Sequence, residues 1–119
     1  MTTEQIANRL VELCRQGEFE TAQKELFADD ALSIEPQASP AFEKETQGLD
    51  AIIEKGHKFS SMVEEMHGGT VSEPLLAGNS FAVLMSMDMT MKEKGRMNMS
   101  ELCVYEVKDG KIISESFHM

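Results

Sequence analysis

Apolar residues in the first third of the chain recur every three or four positions. Ile6, Leu10 and Leu13, joined by Val11 and Cys14, make one face of a helix. Thr2 followed three residues later by Gln5 has the form of a capping box that would start it. Gly17 closes this helix. A second, shorter helix is predicted over residues 19–27, with Ala22, Leu26 and Phe27 apolar, and Asp29-Asp30 breaks it. Residues 31–35 suit a short strand that Pro36 closes. The stretch 37–47 carries Pro40 and little pattern, which predicts a loop over a pocket. A third helix is predicted over Leu49–Met62 from the stripe Ile52, Ile53, Gly56, Phe59 and Val63.

The period then changes to two. Residues 70–76 form a strand in which Pro74 marks an edge or bulge. Gly78-Asn79 turns into a long strand over 80–92, residues 93–96 turn again, and 97–108 runs back. Asp109-Gly110 is a two-residue hairpin signal, and 111–118 is the last strand. Helices followed by a meander predict an α+β fold, with the helices packed on one face of a curved antiparallel sheet. At 119 residues the chain is expected to be one domain.

The Asp109-Gly110 turn predicts a register. Lys108 pairs with Lys111, and counting outward gives Val107–Ile112, Tyr105–Ser114, Cys103–Ser116 and Glu101–His118. Opposed residues share a face. One face then carries Met97, Met99, Glu101, Cys103, Tyr105, Ser114, Ser116 and His118. The other carries Leu102, Val104, Ile113 and Phe117, mixed with Glu106 and Glu115. The neighbouring strand has two readings. One turn length sets Asp88 across from Glu101, another sets Met89 there, and two opposed carboxylates favour the methionine. Met85, Met87, Met89 and Met91 alternate with polar residues and form one strand face, better suited to core packing than to ligand lining.

Charge removes some functions. Asp and Glu number 21 against 11 Lys and Arg, a net charge of −10, with no basic stripe, so nucleic acid is not an expected partner. No apolar run reaches the roughly 18–20 residues of a membrane span, and no signal peptide is recognisable at the start; a cytoplasmic protein is expected. Cys14 and Cys103 have no CxxC spacing, which speaks against a disulfide framework or a zinc site. The ten methionines suit either a loose core or a greasy pocket.

Three stretches carry a family resemblance: Leu26-Phe27-Ala28-Asp29-Asp30-Ala31, Gly48-Leu49-Asp50-Ala51-Ile52 and Val104-Tyr105-Glu106-Val107-Lys108-Asp109-Gly110-Lys111-Ile112. With the order of elements, they resemble the nuclear-transport-factor-2-like (NTF2-like) superfamily, in particular its SnoaL-like and ketosteroid-isomerase-like branches. The resemblance covers nearly the whole chain. It implies a cone of cystatin-like topology around an internal pocket, with the Met99 face inward. It does not imply one activity, since members include isomerases, cyclases, dehydratases, binding modules and non-enzymes. In the isomerases a segment similar to Ala28-Asp29-Asp30-Ala31 leads into an aspartate-proline pair whose aspartate is the general base; here the pair is Glu35-Pro36. The isomerase's oxyanion-binding tyrosine falls at Leu10 and its protonated aspartic acid at Met99. Each lost donor costs on the order of 100- to 1,000-fold in rate, which excludes the steroid-isomerase mechanism.

The resulting expectations are specific. Leu10, Phe59, Met62, Met97 and Met99 wall a pocket, with Cys103, Tyr105 and Ser116 on its strand face. Glu35, Glu101 and His118 are its chemical groups, Glu35 as base and His118 as acid or orienting group. The competing readings are a solvated Glu35 and a plain cross-strand Glu101–His118 ion pair. Glu35, Glu101 and His118 would make a two-carboxylate, one-imidazole metal set, but no HxH or HExxH spacing supports it, so neither metal nor cofactor is expected. Cys103 has no base partner on its strand, and His57 and His67 belong on the surface. Three functions remain open. The favoured one is a module binding a small apolar molecule with one polar end. The others are a proton-transfer enzyme and a structural domain with a vestigial pocket. A homodimer is expected through Leu102, Val104, Ile113 and Phe117 on the outer sheet face.

Overall fold

The computed structural model describes residues 1–119. The capping box forms: the Gln5 amide donates to Thr2 Oγ1 at 3.1 Å and the Thr2 amide to Gln5 Oε1 at 2.9 Å. Helix α1 (Thr3–Arg15) starts there, and α2 (Phe19–Leu26) follows. Strand β1 (Phe27–Ile34) begins earlier than the Asp29-Asp30 pair suggested. Both aspartates are exposed in an irregular stretch between the Phe27–Ile112 and Leu32–Ser114 pairings, so strand pairing tolerates them. The expected loop over 37–47 is shorter than read, because Glu45–Gln47 forms strand β2 on the edge of β1. Helix α3 spans Leu49–Met62, as its stripe predicts.

Chain 70–76 is not one strand. β3 (Val63–Val71) leaves α3 directly, and β4 (Leu75–Ala77) is separate. β3 is an edge strand with most of its residues exposed, so no alternation of apolar and polar positions marks it. The long hairpins are β5 (Ser80–Met91), β6 (Gly95–Lys108) and β7 (Lys111–His118). Spatial order is β2-β1-β7-β6-β5-β3, with β4 also on β5. β1 runs parallel to β7, so the sheet is mixed, not antiparallel as expected. That pairing joins strands distant in sequence, and no hairpin signal can announce it.

Asp109 and Gly110 take φ of 52° and 74°, as a mirror-type turn demands. Lys108–Lys111 and Val107–Ile112 pair as predicted, but a bulge then sets Glu106 against Ser114. Ile113 is the extra residue, and past it the faces of β7 exchange. The observed pairs are Tyr105–Glu115, Val104–Ser116, Cys103–Phe117 and Leu102–His118. Glu115 and Phe117 therefore face inward, while Ser114, Ser116 and His118 face outward. Between β5 and β6 the turn spans residues 92–94, because Met91 pairs with Gly95. Met85, not Met89, opposes Glu101, and Asp88 lies outside against Asn98.

The helices cover the inner face at the β6–β7 turn end. Ile6, Leu10 and Cys14 of α1, Leu26 of α2 and Ile52 of α3 are buried against Phe81, Val83, Cys103 and Tyr105. Phe81 stacks on Tyr105 at 4.8 Å and Phe27 meets it edge-on at 6.5 Å. No helix is long and apolar enough to cross a membrane.

Candidate functional site

A lysine sits on the apolar stripe of α3. Ile52, Lys55 and Phe59 share one helical face by their spacing, which turns the Lys55 side chain toward the inner surface of the sheet. Its Nζ donates to Ser33 Oγ on β1 at 2.6 Å, lies 3.5 Å from a Glu35 carboxylate oxygen and stands 5.4 Å from the centre of the Phe117 ring. Ser33 in turn donates to Glu115 Oε1 at 2.8 Å. Lys55, Ser33 and Glu115 thus form a continuous chain from α3 through β1 to β7. Glu35 follows β1 directly, its amide donating to the Lys44 carbonyl at 2.7 Å, so the loop between β1 and β2 fixes its place.

Three carboxyl groups share this region with one ammonium. Ser33 and Glu115 are the two buried polar residues of the fold. Burial pushes the Glu115 carboxyl up to about 7; the charges of Glu35 and Glu101 push the same way, while Ser33 and Lys55 act against it. Burial is also the first cause raising Glu101, followed by the charge of Glu35. Burial pushes the Cys14 thiol up to about 12 and raises Cys103 and Tyr105 above their usual values. Both cysteines are free and keep their protons, which removes the thiolate a nucleophile would need.

Of the residues singled out from sequence, the fold brings Glu35, Glu101, Cys103 and Tyr105 to one inner region. It sends His118 and Ser116 elsewhere. Both lie on the outer face because of the Ile113 bulge, and the two side chains contact each other at 3.2 Å. His118 opposes Leu102 and does not join Glu101. Leu10 is buried in the helix–sheet core, Phe59, Met62 and Met99 are half-buried, and Met97 is 36% exposed. Met85, Met89 and Met91 are buried, while Met87 is half-buried opposite Met99. Beyond the carboxyl cluster, then, the inner face carries partly accessible methionines. Ser33, Lys55 and Glu115 were missed; a lysine on an apolar helical stripe was the signal for one of them. A separate open groove of about 740 Å³, between the start of α1 and the β6–β7 turn, contains none of these residues.

The SnoaL-like domain family matches residues 1–119. A Mesorhizobium loti protein described as a candidate SnoaL-like polyketide cyclase is 35% identical, with a TM-score of 0.92 over 100% of both chains. An NTF2-like protein from Burkholderia pseudomallei is 17% identical with a TM-score of 0.82, covering 100% of this chain and 92% of that one. A Xanthomonas campestris protein with a cystatin-like fold is 13% identical with a TM-score of 0.81, over 98% and 89%. These last two are alike in fold alone. No curated protein matches the sequence.

Proposed function

Because the chain belongs to the SnoaL-like domain family, we propose that its inner face binds a small apolar molecule carrying one polar end. The observation behind this is the segregation of that face. Glu35, Lys55, Glu101 and Glu115 gather at one end, and Met87, Met97 and Met99 occupy the other. Apolar walls with a few converging polar groups are what a small-molecule site requires, and methionine adapts its shape to what it holds. A thermal-shift screen of flat apolar compounds with one polar group tests it. A ligand at 100 times its dissociation constant adds about 2.7 kcal/mol of stability. If only nucleotides or other highly charged compounds shift the melt, the apolar site is refuted.

A second reading, acid–base catalysis, is favoured by one feature of the cluster. Glu35 is ion-paired with Lys55, whereas burial drives Glu101 and Glu115 toward their neutral forms. Carboxyl groups in such unlike settings can divide the roles of base and acid. Glu115 and Tyr105 would supply hydrogen-bond donors at positions other than Leu10 and Met99. Incubating each hit in deuterated water with the protein separates the readings: exchange of a carbon-bound hydrogen that Glu35→Gln abolishes marks catalysis, and binding without exchange marks a module.

We also propose a homodimer through the outer face of the sheet. Leu84 and Leu102 are directly opposed there and remain 47% and 41% exposed, beside Val104. Phe117 drops out of this surface, since it faces inward. Leu102→Glu is expected to halve the mass seen by light scattering at micromolar concentration, and a wild-type monomer would refute the dimer.

A further inference from the structure

Methionine placement in this chain follows one rule. Apart from the terminal Met1 and Met119, each of the ten methionines lies on or borders the inner face of the sheet toward the β5–β6 turn. Met87 is directly opposed to Met99. In the next row Met89 stands between Met97 on β6 and Met66 on β3. Met85 and Met91 extend the face on either side, and Met62 ends α3 with its carbonyl accepting from the Lys92 amide at 3.0 Å. Nearer the β6–β7 turn the inward apolar residues of the same strands are Phe81, Val83 and Tyr105, the aromatic and β-branched types that strands favour. Past Met85 the inward apolar residues of β5 and β6 are all methionine. A plain apolar wall needs area and shape, which leucine or valine supplies as well. What methionine adds is a thioether sulfur.

We propose that Met87, Met89, Met97 and Met99 form a binding site for a soft monovalent cation, copper(I), with Met66 at its entrance. Directly opposed residues hold their Cβ atoms about 4.5–5.5 Å apart, and same-face neighbours on one strand lie about 6.7 Å apart. The unbranched methionine side chain has three rotatable bonds, so four sulfurs from such a block reach one point above its centre. Thioethers are soft donors that select copper(I), whereas calcium, magnesium and manganese take oxygen ligands and zinc takes thiolate, imidazole or carboxylate; the block offers none of these. Access is graded in the same sense: Met89 is fully buried, Met87 and Met99 are half-buried, and Met97 and Met66 are 36% and 49% exposed. An ion therefore enters past the exposed sulfurs toward the buried one, and the net charge of −10 draws it to the protein. The site goes beyond the apolar-ligand reading and does not depend on it.

Titrating the whole protein, labelled with carbon-13 in its methionine methyl groups, with silver(I) nitrate in chloride-free buffer tests this by NMR. Silver(I) stands in for copper(I) as a soft ion that air does not oxidise. One ion per chain is expected to shift the methyl signals of Met87, Met89, Met97 and Met99 and to leave those of Met1 and Met119 in place. Leucine variants assign the signals, because a methionine-to-leucine change keeps the volume and the fold tolerates it. Against a competing chelator, Met87→Leu and Met99→Leu are each expected to weaken binding about 10- to 100-fold, no less than the loss of an outer-shell partner costs a metal site. Anaerobic titration with copper(I) itself should rank the variants in the same order. Uptake that shifts Met1 and Met119 as much as the four overturns the site, and so does uptake abolished by Cys14→Ala with Cys103→Ala, which places the ion on the thiols. No uptake overturns the metal site and leaves the apolar wall standing, since the thermal-shift screen reads that wall separately.

Discussion

Replacing Lys55 by methionine is expected to cost the fold about 3 kcal/mol near pH 8 and much less near pH 5. Methionine matches the length of the aliphatic stem, so packing against Phe117 largely survives. What disappears is the ammonium that meets Ser33 at 2.6 Å and Glu35 at 3.5 Å. The Lys55 and Glu35 side chains are 16% and 22% exposed, so water replaces the lost partner poorly. Two carboxylates and a serine hydroxyl then face each other without a cation. As the pH falls the carboxyl groups take up protons, and the repulsion is removed with them. The sign follows from the direction of the carboxyl shifts. Lys55 holds the Glu115 and Glu101 values down against burial; without it both rise further. A carboxyl raised in the folded state contributes full stability below its unfolded value and loses it as pH climbs. Urea unfolding of both proteins at the two pH values measures the difference. An equal loss at both would mean that Lys55 acts through packing and not through charge.

The folding pattern was legible where local chemistry decides it. Helix α3 runs over Leu49–Met62 as its stripe predicts, and α1 starts at the Thr2–Gln5 box. The Asp109-Gly110 hairpin was legible too, since few sequences permit two successive residues at positive φ. The site was harder, and one residue explains most of it. Ile112 and Ile113 are both apolar, so the segment Lys111–His118 reads equally well with either set of alternate residues inward. Only the bulge at Ile113 chooses Glu115 and Phe117 over Ser114, Ser116 and His118. A bulge is fixed by how β7 must bend to meet β1 and β6 at once, and that information lies in distant strands. Lys55 was hidden differently: its stripe marked the helix, while its charge argued for a surface position. The pairing of Ser33 with Glu115 across parallel strands has no local signature at all. Glu101 shares the face of Met97 and Met99 by strand parity alone, whereas Glu35 was singled out only by the resemblance of Glu35-Pro36 to the isomerases' aspartate-proline pair.

Glu115→Gln is expected to raise stability near pH 8 by about 3 kcal/mol, an effect opposite to that of most changes at a buried hydrogen-bonded residue. Glutamine has the same shape, and its amide oxygen accepts the Ser33 bond that Glu115 Oε1 now takes. It lacks only the ionisation. In the wild type the carboxyl rises from an ordinary 4.5 to about 7 on folding. Below about pH 4.5 it is protonated in both states and costs nothing. Between about 4.5 and 7 the folded form binds more protons than the unfolded form, so stability falls as pH rises. Above about 7 the folded protein carries the full penalty of a buried charge, which at 1.36 kcal/mol per pH unit amounts to about 3 kcal/mol. The variant avoids that fall. Its stability should match the wild type near pH 4 and exceed it progressively to about pH 8. The difference between the two denaturation curves removes the contribution of the surface carboxylates far from Glu115, because these titrate alike in both proteins. A difference that stays flat across this range would mean that Glu115 keeps an ordinary, solvated carboxylate. The protonated carboxyl near neutral pH on which the acid–base reading depends would then be absent from the inner face.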